Sequence, residues 1–399
     1  MANTNLANAK TAKNDEFYTQ YADIQKEINA YLDYNPDVFR NKTVLLPCDD
    51  PEWSNFTKFF AQNFQLLGLK KLISTSYAPE SKKYKMPYQP TLFETSQPHY
   101  NVDKSKTHGK IFVLERDITG DNRIDINDLE WQYLEGDGDF RSKEIKALRN
   151  EADIIVTNPP FSLFREFVAW LVESNKQFII IGNMNAVTNK EIFPLIKDNR
   201  MWLGNGFQNG NAYFRVEAPR ESYADGVYDE NTNLVKFRNC CWFTNIDHGR
   251  RHQPLKLMTM AENFKHSKHK DLRARKEYYT YDNYNAIDVP YTDAIPSDYT
   301  GAMGVPISYL DKYCPEQYEI LGLTQFGCHN DLPDTKRYND YKEYLNETDK
   351  ETGSSGAKTN ENAVLLGRGT KKTYYKNAEG RIVHSEYKRL LIRKKTINL

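Results

Sequence analysis

The stretch DIIVTNPPF, Asp153 to Phe161, combines a buried-strand pattern with an unusual polar loop. Its apolar, β-branched first half is typical of a strand that is covered on both faces. The tetrapeptide Asn-Pro-Pro-Phe follows at once, and FSLFREFVAWLVES then repeats apolar residues at helical spacing. The pattern predicts a strand, a rigid loop and a helix, with the loop at the carboxyl end of the strand.

The loop Asn158-Pro159-Pro160-Phe161 carries groups that suit a planar amine. Proline has no N–H and a fixed φ, so Pro159 presents its carbonyl and Asn158 is pushed into an extended conformation. The Asn158 amide oxygen and the Pro159 carbonyl could accept the two hydrogens of an exocyclic amine, with Phe161 stacked on the ring. The alternative is a simple Pro-Pro strand terminator, which the strand before it and the amphipathic helix after it disfavour.

Similar apolar runs recur along the first half of the chain and alternate with amphipathic segments. We predict an α/β fold with a mostly parallel sheet covered on both faces, which binds ligands at the carboxyl ends of its strands. A polar excursion interrupts the pattern at 78–109. The predicted strands are TVLLP (43–47), KKLISTSY (70–77), KIFVLER (110–116), DIIVT (153–157) and QFIIIG (177–182).

The length of 399 residues predicts two or three domains. The alternation is lost after about Phe207, where we place the start of a second domain. The segment 347–363 is rich in Ser, Gly, Lys and Glu, which favours a mobile loop or linker.

Composition excludes several classes of protein. Lys+Arg 54 against Asp+Glu 54, with 39% hydrophobic residues, argues against global disorder. No stretch approaches the roughly 18 apolar residues of a membrane span, and the N-terminus lacks the apolar core of a signal peptide. Five cysteines without a CxxC pair indicate reduced thiols. We therefore expect a cytoplasmic protein with no membrane partner.

The zero net charge hides two basic segments. Residues 249–276 hold nine Lys/Arg against two acids, and residues 364–399 hold ten against two, with interleaved tyrosines. Such segments suit a phosphate backbone, although a solvated surface has the same composition. The candidate DNA-binding residues are Arg250, Arg251, Lys268, Lys270, Lys371 and Lys372.

Two patterns hint at metal binding but fit poorly. The stretch from Asp117 to Asp128 has oxygen side chains at calcium-loop positions, yet Asn122 replaces the turn glycine and Asp128 the bidentate Glu. A polar turn is the preferred interpretation. The histidines between His248 and His269 lie among many cations, which disfavours zinc. We predict no metal site.

Further stretches give the sequence a family resemblance. It resembles the amino-methyltransferases that use S-adenosylmethionine, and specifically the EcoRI-type adenine-specific DNA methyltransferase family. The matching stretches run in order over about 14–325: NDEFYTQYADI (14–24), LLPCDDPEWSNF (45–56), GDGDFRS (136–142), TNPPFSLFREF (157–167), IGNMNA (181–186), CCWFTN (240–245) and MGVPISYLDKYCPEQYEILG (303–322).

The resemblance implies a Rossmann-like methyltransferase sheet in a catalytic domain at 1–206, and a mixed α+β target-recognition domain at 207–399. It implies Asn158, Pro159, Pro160 and Phe161 as catalytic residues. The implied cofactor-binding residues are Asp15, Phe17, Tyr18, Pro47, Cys48, Asp49, Asp50, Trp53, Asp139, Phe140 and Asn158.

The loop LLPCDDPEWSNF departs from the family pattern because it lacks the glycine-rich turn. Asp49 and Asp50 could instead accept the α-ammonium of the cofactor, and Trp53 could cover its adenosine or sulfonium. Asp139 and Phe140 would bind and stack its adenine. The alternative for 45–56 is an acidic turn that caps the next helix with Ser54. No acid that would hold the ribose is evident in LISTSYAPE.

The implied function is adenine-N6 methylation of double-stranded DNA, with the target base flipped into the Asn158 loop. A restriction-modification or mobile-element role is expected, with a cognate endonuclease that forms no stable complex. The alternatives are cytosine-N4 methylation, modification of RNA or of protein glutamine, and a non-catalytic DNA-binding protein.

Overall fold

The structure is a computed structural model. It describes residues 18–49, 54–81, 92–95, 98–207, 211–216, 226–275, 277–324, 332, 335–336, 341–355 and 363–395.

The chain divides into two compact units, whose boundary lies later than the predicted one after residue 206. Unit 1 comprises the described residues of Met1–Ala186 and Met201–Gly249, and unit 2 those of Val187–Arg200 and Arg250–Leu399. The difference arises because strands beyond Phe207 pair with the elements that precede it.

Unit 1 contains twelve described strands and seven described α-helices. The strands are β1 Tyr18–Thr19, β2 Thr43–Leu46, β3 Lys71–Thr75, β4 Lys110–Leu114, β5 Glu130–Tyr133, β6 Ile154–Thr157, β7 Gln177–Asn183, β8 Trp202–Leu203, β9 Asn211–Arg215, β10 Tyr228–Asp229, β11 Leu234–Arg238 and β12 Cys240–Thr244. The helices are α1 Tyr21–Tyr34, α2 Asn55–Gln62, α3 Phe64–Leu67, α4 Leu92–Thr95, α5 Lys104–Thr107, α6 Lys143–Glu151 and α7 Phe164–Glu173.

Eight of these strands form a mixed sheet in the order β5-β4-β3-β2-β6-β7-β12-β8. The four central strands, β3, β2, β6 and β7, are parallel as predicted. β4 is antiparallel to β3, because the excursion at 78–109 returns the chain at the edge where β3 ends. β12 pairs antiparallel with β7, which places 240–244 in the same sheet.

The predicted patterns explain the core of unit 1. Every residue of β2 and β6 is buried, as expected for strands with helices on both faces. The helix α2 begins after Ser54, whose side chain caps it by accepting the Phe56 N–H at 3.1 Å, and it buries Phe56, Phe59 and Phe60. α7 likewise buries one apolar face.

A second, smaller sheet has the order β1-β9-β11-β10 and is fully antiparallel. Its inner face buries Phe214 and Phe237 in the core of unit 1. The Asn55 side chain at the start of α2 donates to the Thr19 carbonyl at 2.7 Å, which ties β1 to that helix.

Unit 2 is mostly β structure and contains two five-stranded sheets. Residues 351–355 of the predicted linker form β18, and 356–362 lie outside the described residues. The described helices and strands of unit 2 are α8 Phe193–Lys197, α9 Met260–His266, α10 Lys270–Arg273, β13 Tyr279–Thr280, β14 Ile287–Asp288, β15 Met303–Pro306, β16 Tyr318–Leu323, β17 Lys342–Leu345, β18 Glu351–Ser355, β19 Val364–Leu366, β20 Thr373–Lys376, β21 Ile382–Ser385 and β22 Arg389–Lys394. The two sheets have the strand orders β13-β14-β15-β22-β16 and β18-β17-β20-β21-β19.

Short 3-10 helices complete the secondary structure. They span Pro79–Ser81, Ile126–Asp128, Phe161–Leu163, Met184–Thr188, Gly249–His252, Thr292–Ala294 and Ile307–Lys312. Within the described ranges, no helix has the length and apolar content that crossing a membrane requires.

Candidate active site

The carboxyl ends of the four parallel strands meet at one edge of the central sheet. Because β2, β3, β6 and β7 run in the same direction, the segments that follow them leave from this edge. Pro47–Asp49, Ser76–Tyr77 and Asn158–Phe161 are thereby neighbours. That these loops serve one cofactor and substrate site stays a prediction.

A buried carboxylate links two of these loops. The Asp49 side chain accepts hydrogen bonds from Ser54 Oγ at 2.9 Å and from Thr157 Oγ1 at 2.6 Å. Its backbone carbonyl accepts a third from Ser74 Oγ at 2.7 Å. Asp49 is only 7% exposed, so its two oxygens are used inside the protein. The alternative for 45–56, an acidic turn capped by Ser54, is therefore observed, and Ser54 also anchors Asp49; the binding of a cofactor ammonium by Asp49 stays a prediction.

Cys48 is partly exposed beside this carboxylate. Burial raises the pKa of its thiol well above the ordinary range, and the negative charges of Asp49 and Asp139 raise the pKa further. A raised pKa favours the neutral thiol at physiological pH, and a neutral thiol is a weak nucleophile.

The turn that carries Asp139 packs against the end of β3. Gly138 has φ +83°, and a Cβ atom there would lie 2.2 Å from the Ser76 carbonyl oxygen, so only glycine fits. The Ala78 N–H donates to the Asp137 carbonyl at 2.8 Å. The predicted cofactor residue Asp139 is thus held at the carboxyl edge of the sheet.

Asp139 is ionised and bonded to an arginine. Arg141 Nε donates to Oδ1 at 2.9 Å and Nη2 to Oδ2 at 2.6 Å, and these bonds lower the pKa of Asp139. The Asp139 side chain is 21% exposed. It therefore offers a charged acceptor at the edge with part of its surface open.

The predicted role of Phe140 is not supported by its position. Its ring is buried against Phe167 at 5.1 Å and Trp170 at 5.8 Å, both on α7. Phe140 therefore anchors the turn to the helix instead of covering a ligand ring. The sequence showed an aromatic next to the acid but not which way it points.

The Asn158 loop is firmly held. Pro159 is buried, while Asn158 and Pro160 are partly exposed. The Phe161 ring meets Phe214 edge-on at 6.2 Å and Phe237 at 6.1 Å, on β9 and β11 of the smaller sheet. That sheet therefore forms one wall beside the predicted catalytic loop.

Sequence analysis missed two residues of this edge. Thr157 was treated as the last residue of an apolar strand, yet its hydroxyl joins Asp49 to the Asn158 loop. Tyr77 follows β3; burial raises the pKa of its hydroxyl, and the carboxylates of Asp137 and Asp139 add to that shift. The available signal was a hydroxyl-bearing residue at or within two residues of the end of a buried strand.

The other predicted cofactor residues are only partly placed. Tyr18 lies in β1, paired with Arg215 of β9. Asp15, Phe17, Asp50 and Trp53 lie outside the described residues.

The predicted DNA-binding residues at 250–270, all in unit 2, differ in their surroundings. Arg250 pairs with Asp311 at 2.5 Å and Lys268 with Asp293 at 2.8 Å. Arg251 is 7% exposed and its guanidinium donates to the Asn199 side chain, so it is a structural residue and not a surface contact. Lys270 is exposed on α10.

Of the two tail lysines, Lys372 is exposed and Lys371 is partly buried. The Lys371 ammonium donates to the Ser385 carbonyl and lies 4.5 Å from the Tyr387 ring centroid. Burial lowers the pKa of Lys371. Only Lys372 retains the exposed position that was expected of both.

The calcium-like loop is closed on itself. Asp128 accepts the N–H groups of Ile118, Thr119 and Asp125, and Asp117 accepts those of Gly120 and Asn122. These Asx-type bonds make the segment a polar turn. Across the residues that the structure describes, no group of three or more His, Cys, Asp or Glu side chains is arranged to hold a metal ion.

Comparisons with known proteins identify the family. A family model described as adenine-specific methyltransferase EcoRI matches residues 5–395. The chain is 40% identical over 329 residues to the Type II methyltransferase M.EcoRI of Escherichia coli, which covers 82% of this chain and 91% of that protein. It is 34% identical over 317 residues to the Type II methyltransferase M.MpnI of Mycoplasma pneumoniae, covering 78% and 83%. No solved structure matches the chain significantly. The chain therefore belongs to the EcoRI family of adenine-specific methyltransferases.

Proposed function

We propose that this protein is a site-specific DNA methyltransferase of restriction-modification type that transfers a methyl group from S-adenosylmethionine to adenine N6 in double-stranded DNA. The observation that carries the proposal is the Asn158-Pro159-Pro160-Phe161 loop at the carboxyl end of β6, in a chain of this family.

The architecture supports a division of labour. The parallel order of β3, β2, β6 and β7 supports a Rossmann-like methyltransferase sheet, and unit 1 is the catalytic unit in this proposal. Unit 2 carries target recognition. This functional boundary follows the structural one near Gly249 and replaces the predicted boundary after residue 206.

The residues at the sheet edge fit S-adenosylmethionine. Asp139 is an ionised acceptor for an adenine amine, and Tyr77 lies near it at the end of β3. Asp49 has both oxygens bonded to hydroxyls, so it places negative charge beside the loop after β2 and fixes the shape of that loop. When bound, the cofactor supplies an electrophilic methyl group on a sulfonium.

Asn158 and Pro159 hold the target amine. The Asn158 amide oxygen and the Pro159 carbonyl accept the two N6 hydrogens, which directs the nitrogen lone pair toward the methyl group. Since the amine itself attacks, the chain needs no covalent nucleophile, in agreement with the neutral Cys48 thiol. Catalysis is then mainly alignment within a fixed loop.

The target adenine must leave the helix, because N6 is paired inside the duplex. Phe161 is held edge-on by Phe214 and Phe237, so its ring has a defined orientation for stacking on the extruded base. Preorganisation of this ring lowers the ordering cost of base capture.

The test is to incubate the protein with unmethylated genomic DNA and radiolabelled S-adenosylmethionine, and to identify the labelled nucleoside after digestion. We expect N6-methyladenine. Label in N4-methylcytosine would contradict the base assignment, and label absent from DNA but present in RNA or protein would contradict the substrate class. The Asn158→Ala variant, whose turnover we expect to be strongly reduced, serves as the background control.

A further inference from the structure

The outer face of the smaller sheet carries a row of cations. Residues of β9 and β11 alternate between buried positions and half-buried or exposed ones, so Phe214 and Phe237 point inward while their neighbours point outward. The outward cations are Arg215 on β9, and Lys236 and Arg238 on β11. They were not selected from the sequence, because they are isolated in largely apolar strands and form no contiguous basic run.

The register of the two strands sets the spacing of this row. Arg215 pairs with Leu234, Lys236 with Tyr213, and Arg238 with Asn211. Each of these three outward-facing residue pairs therefore contains one cation. Successive outward-facing pairs are two residues apart along the strand and so are separated by about 7 Å. The result is a stripe of three charges, here called the outer cation row (Arg215, Lys236, Arg238).

The described residues around the outer cation row do not form ion pairs with it. Within the described part of the chain, no carboxylate forms an ion pair with any of the three. The acid Asp229 on β10 lies opposite Leu234 and accepts the Asn231 N–H at 3.0 Å and Thr232 Oγ1 at 2.9 Å, and it forms no ion pair with the three cations. This contrasts with Arg250 and Lys268, which are paired.

An aromatic ring lies within the row. Tyr213 is 40% exposed, and the Lys236 ammonium lies 5.8 Å from its ring centroid. A partly exposed tyrosine beside cations suits contact with a sugar-phosphate backbone, where the ring packs on the sugar and the cations meet phosphates.

The sheet that carries the row contacts the predicted catalytic loop through its other face. Phe214 and Phe237, the residues between the cations, contact Phe161 from the other face of the same sheet. β11 leads at once into β12, and the Asn239 carbonyl between them accepts the Met184 N–H just after β7. Arg238 therefore lies close to the edge where the Asn158 loop is found.

From this placement we propose that the outer cation row binds DNA phosphates next to the target adenine. Duplex DNA carries one negative charge about every 1.7 Å, so an unpaired row of cations is complementary to it. Flipping rotates the nucleotide about its backbone, so adjacent phosphates must be fixed near the pocket. The inference rests on the proposed function, because it assumes that DNA is the substrate.

The test compares two triple variants of the full-length protein on a random-sequence DNA duplex. One is Arg215→Gln, Lys236→Gln, Arg238→Gln. The matched control, Lys42→Gln, Lys70→Gln, Lys176→Gln, removes the same charge at the amino edge of the central sheet, before β2, β3 and β7. We expect the first to weaken binding roughly 10-fold or more and to flatten the salt slope by about 0.9 per lost phosphate contact, and the control to change little.

A charge-conserving variant, Arg215→Lys, Lys236→Arg, Arg238→Lys, should retain affinity and salt slope. Thermal unfolding and binding of S-adenosylmethionine report whether each variant is folded. Unchanged affinity in the first triple variant, or equal losses in both neutralised variants, would overturn the inference while wild-type methylation of DNA still supports the proposed function. Failure of the wild-type protein to methylate DNA would overturn the proposed function itself.

Discussion

Polar groups at the carboxyl edge of the central sheet and cations in the basic segment 249–276 are satisfied in different ways. At the edge, Asp49 is bonded by hydroxyls from loops that leave neighbouring strands. In the basic segment, Arg250 and Lys268 meet carboxylates that are distant in sequence. The first arrangement fixes a charge in place, and the second cancels it.

The difference shows which sequence patterns predict the environment of a side chain in the folded protein. A polar residue after a buried strand has its position set by that strand, so its chemistry is predictable. A count of charges along a segment ignores partners brought in by the fold, so it overestimates free charge. The outer cation row is the converse case, since strand alternation separates charges that face the same side.

The largest effect is expected for Asn158→Ala. If Asn158 directs the amine, turnover should fall by about 10²–10³, as when one preorganised polar contact to the reacting group is removed. Binding of S-adenosylmethionine should stay within a few-fold of wild type. Single-turnover methylation measures the first quantity and calorimetric titration the second.

Asn150→Ala is the matched control, since Asn150 is an exposed residue of α6. Its turnover should equal that of the wild type. Wild-type turnover in Asn158→Ala would show that Asn158 does not direct the amine, and that a polar residue after a buried strand is no better guide to function than a charge count.

Thr157→Val tests whether the hydrogen bond between Thr157 and Asp49 matters more than an ordinary buried hydrogen bond. It removes the 2.6 Å bond to the Asp49 carboxylate, and loss of a bond to a charged group costs about 1.5–3 kcal/mol. Turnover should fall as well, because Thr157 precedes Asn158. Urea unfolding and methylation rates measure the two effects.

Thr75→Val provides the control, because Thr75 donates to a neutral acceptor, the Pro47 carbonyl, at 3.1 Å. Its cost should be about 0.5–1.5 kcal/mol without loss of turnover. Thr157→Ser should restore both quantities. If the two valine variants behave alike, Asp49 has no special part in positioning the loop.

Arg251→Gln and Lys270→Gln should have different effects on stability and on DNA affinity, because Arg251 is buried and Lys270 is exposed. Arg251 is buried and bonded, so its substitution should destabilise unit 2 by about 1–3 kcal/mol. Lys270 is exposed, so its substitution should change stability by less than about 0.5 kcal/mol and lower DNA affinity a few-fold. Unfolding curves and binding titrations of both variants are required. Equal stability of the two would mean that the segment behaves as a uniform surface.

The sequence was sufficient for the central strands and for the loop that follows β6, because short apolar runs between turns leave little choice of structure. It was insufficient for the direction of Phe140, since an aromatic residue in a Gly-Asp turn can pack to either side. The antiparallel β4 and the late domain boundary depend on pairings between distant segments. Local periodicity carries no information about those.

The smallest effect concerns the tail, where His384 and Glu386 form another local pair at 3.5 Å. This pair lowers the pKa of Glu386 from 4.5 to about 2, with Lys371 and Arg389 adding to the shift, and raises that of His384 above 6.5. The stabilisation from Glu386 is complete above about pH 4.5 and is lost as the pH falls toward 2. That from His384 is complete below pH 6.5 and is lost as the pH rises through its raised pKa.

Glu386→Gln should therefore reduce the free energy of unfolding most between about pH 4.5 and 6.5. The difference from wild type should narrow at lower pH, where Glu386 is protonated, and shrink at higher pH to what Lys371 and Arg389 contribute. Glu379→Gln removes an exposed partner of Arg381 and should leave the pH profile nearly unchanged. A pH-independent difference in urea unfolding would contradict both shifts, because it would mean that neither Glu386 nor His384 changes its pKa on folding.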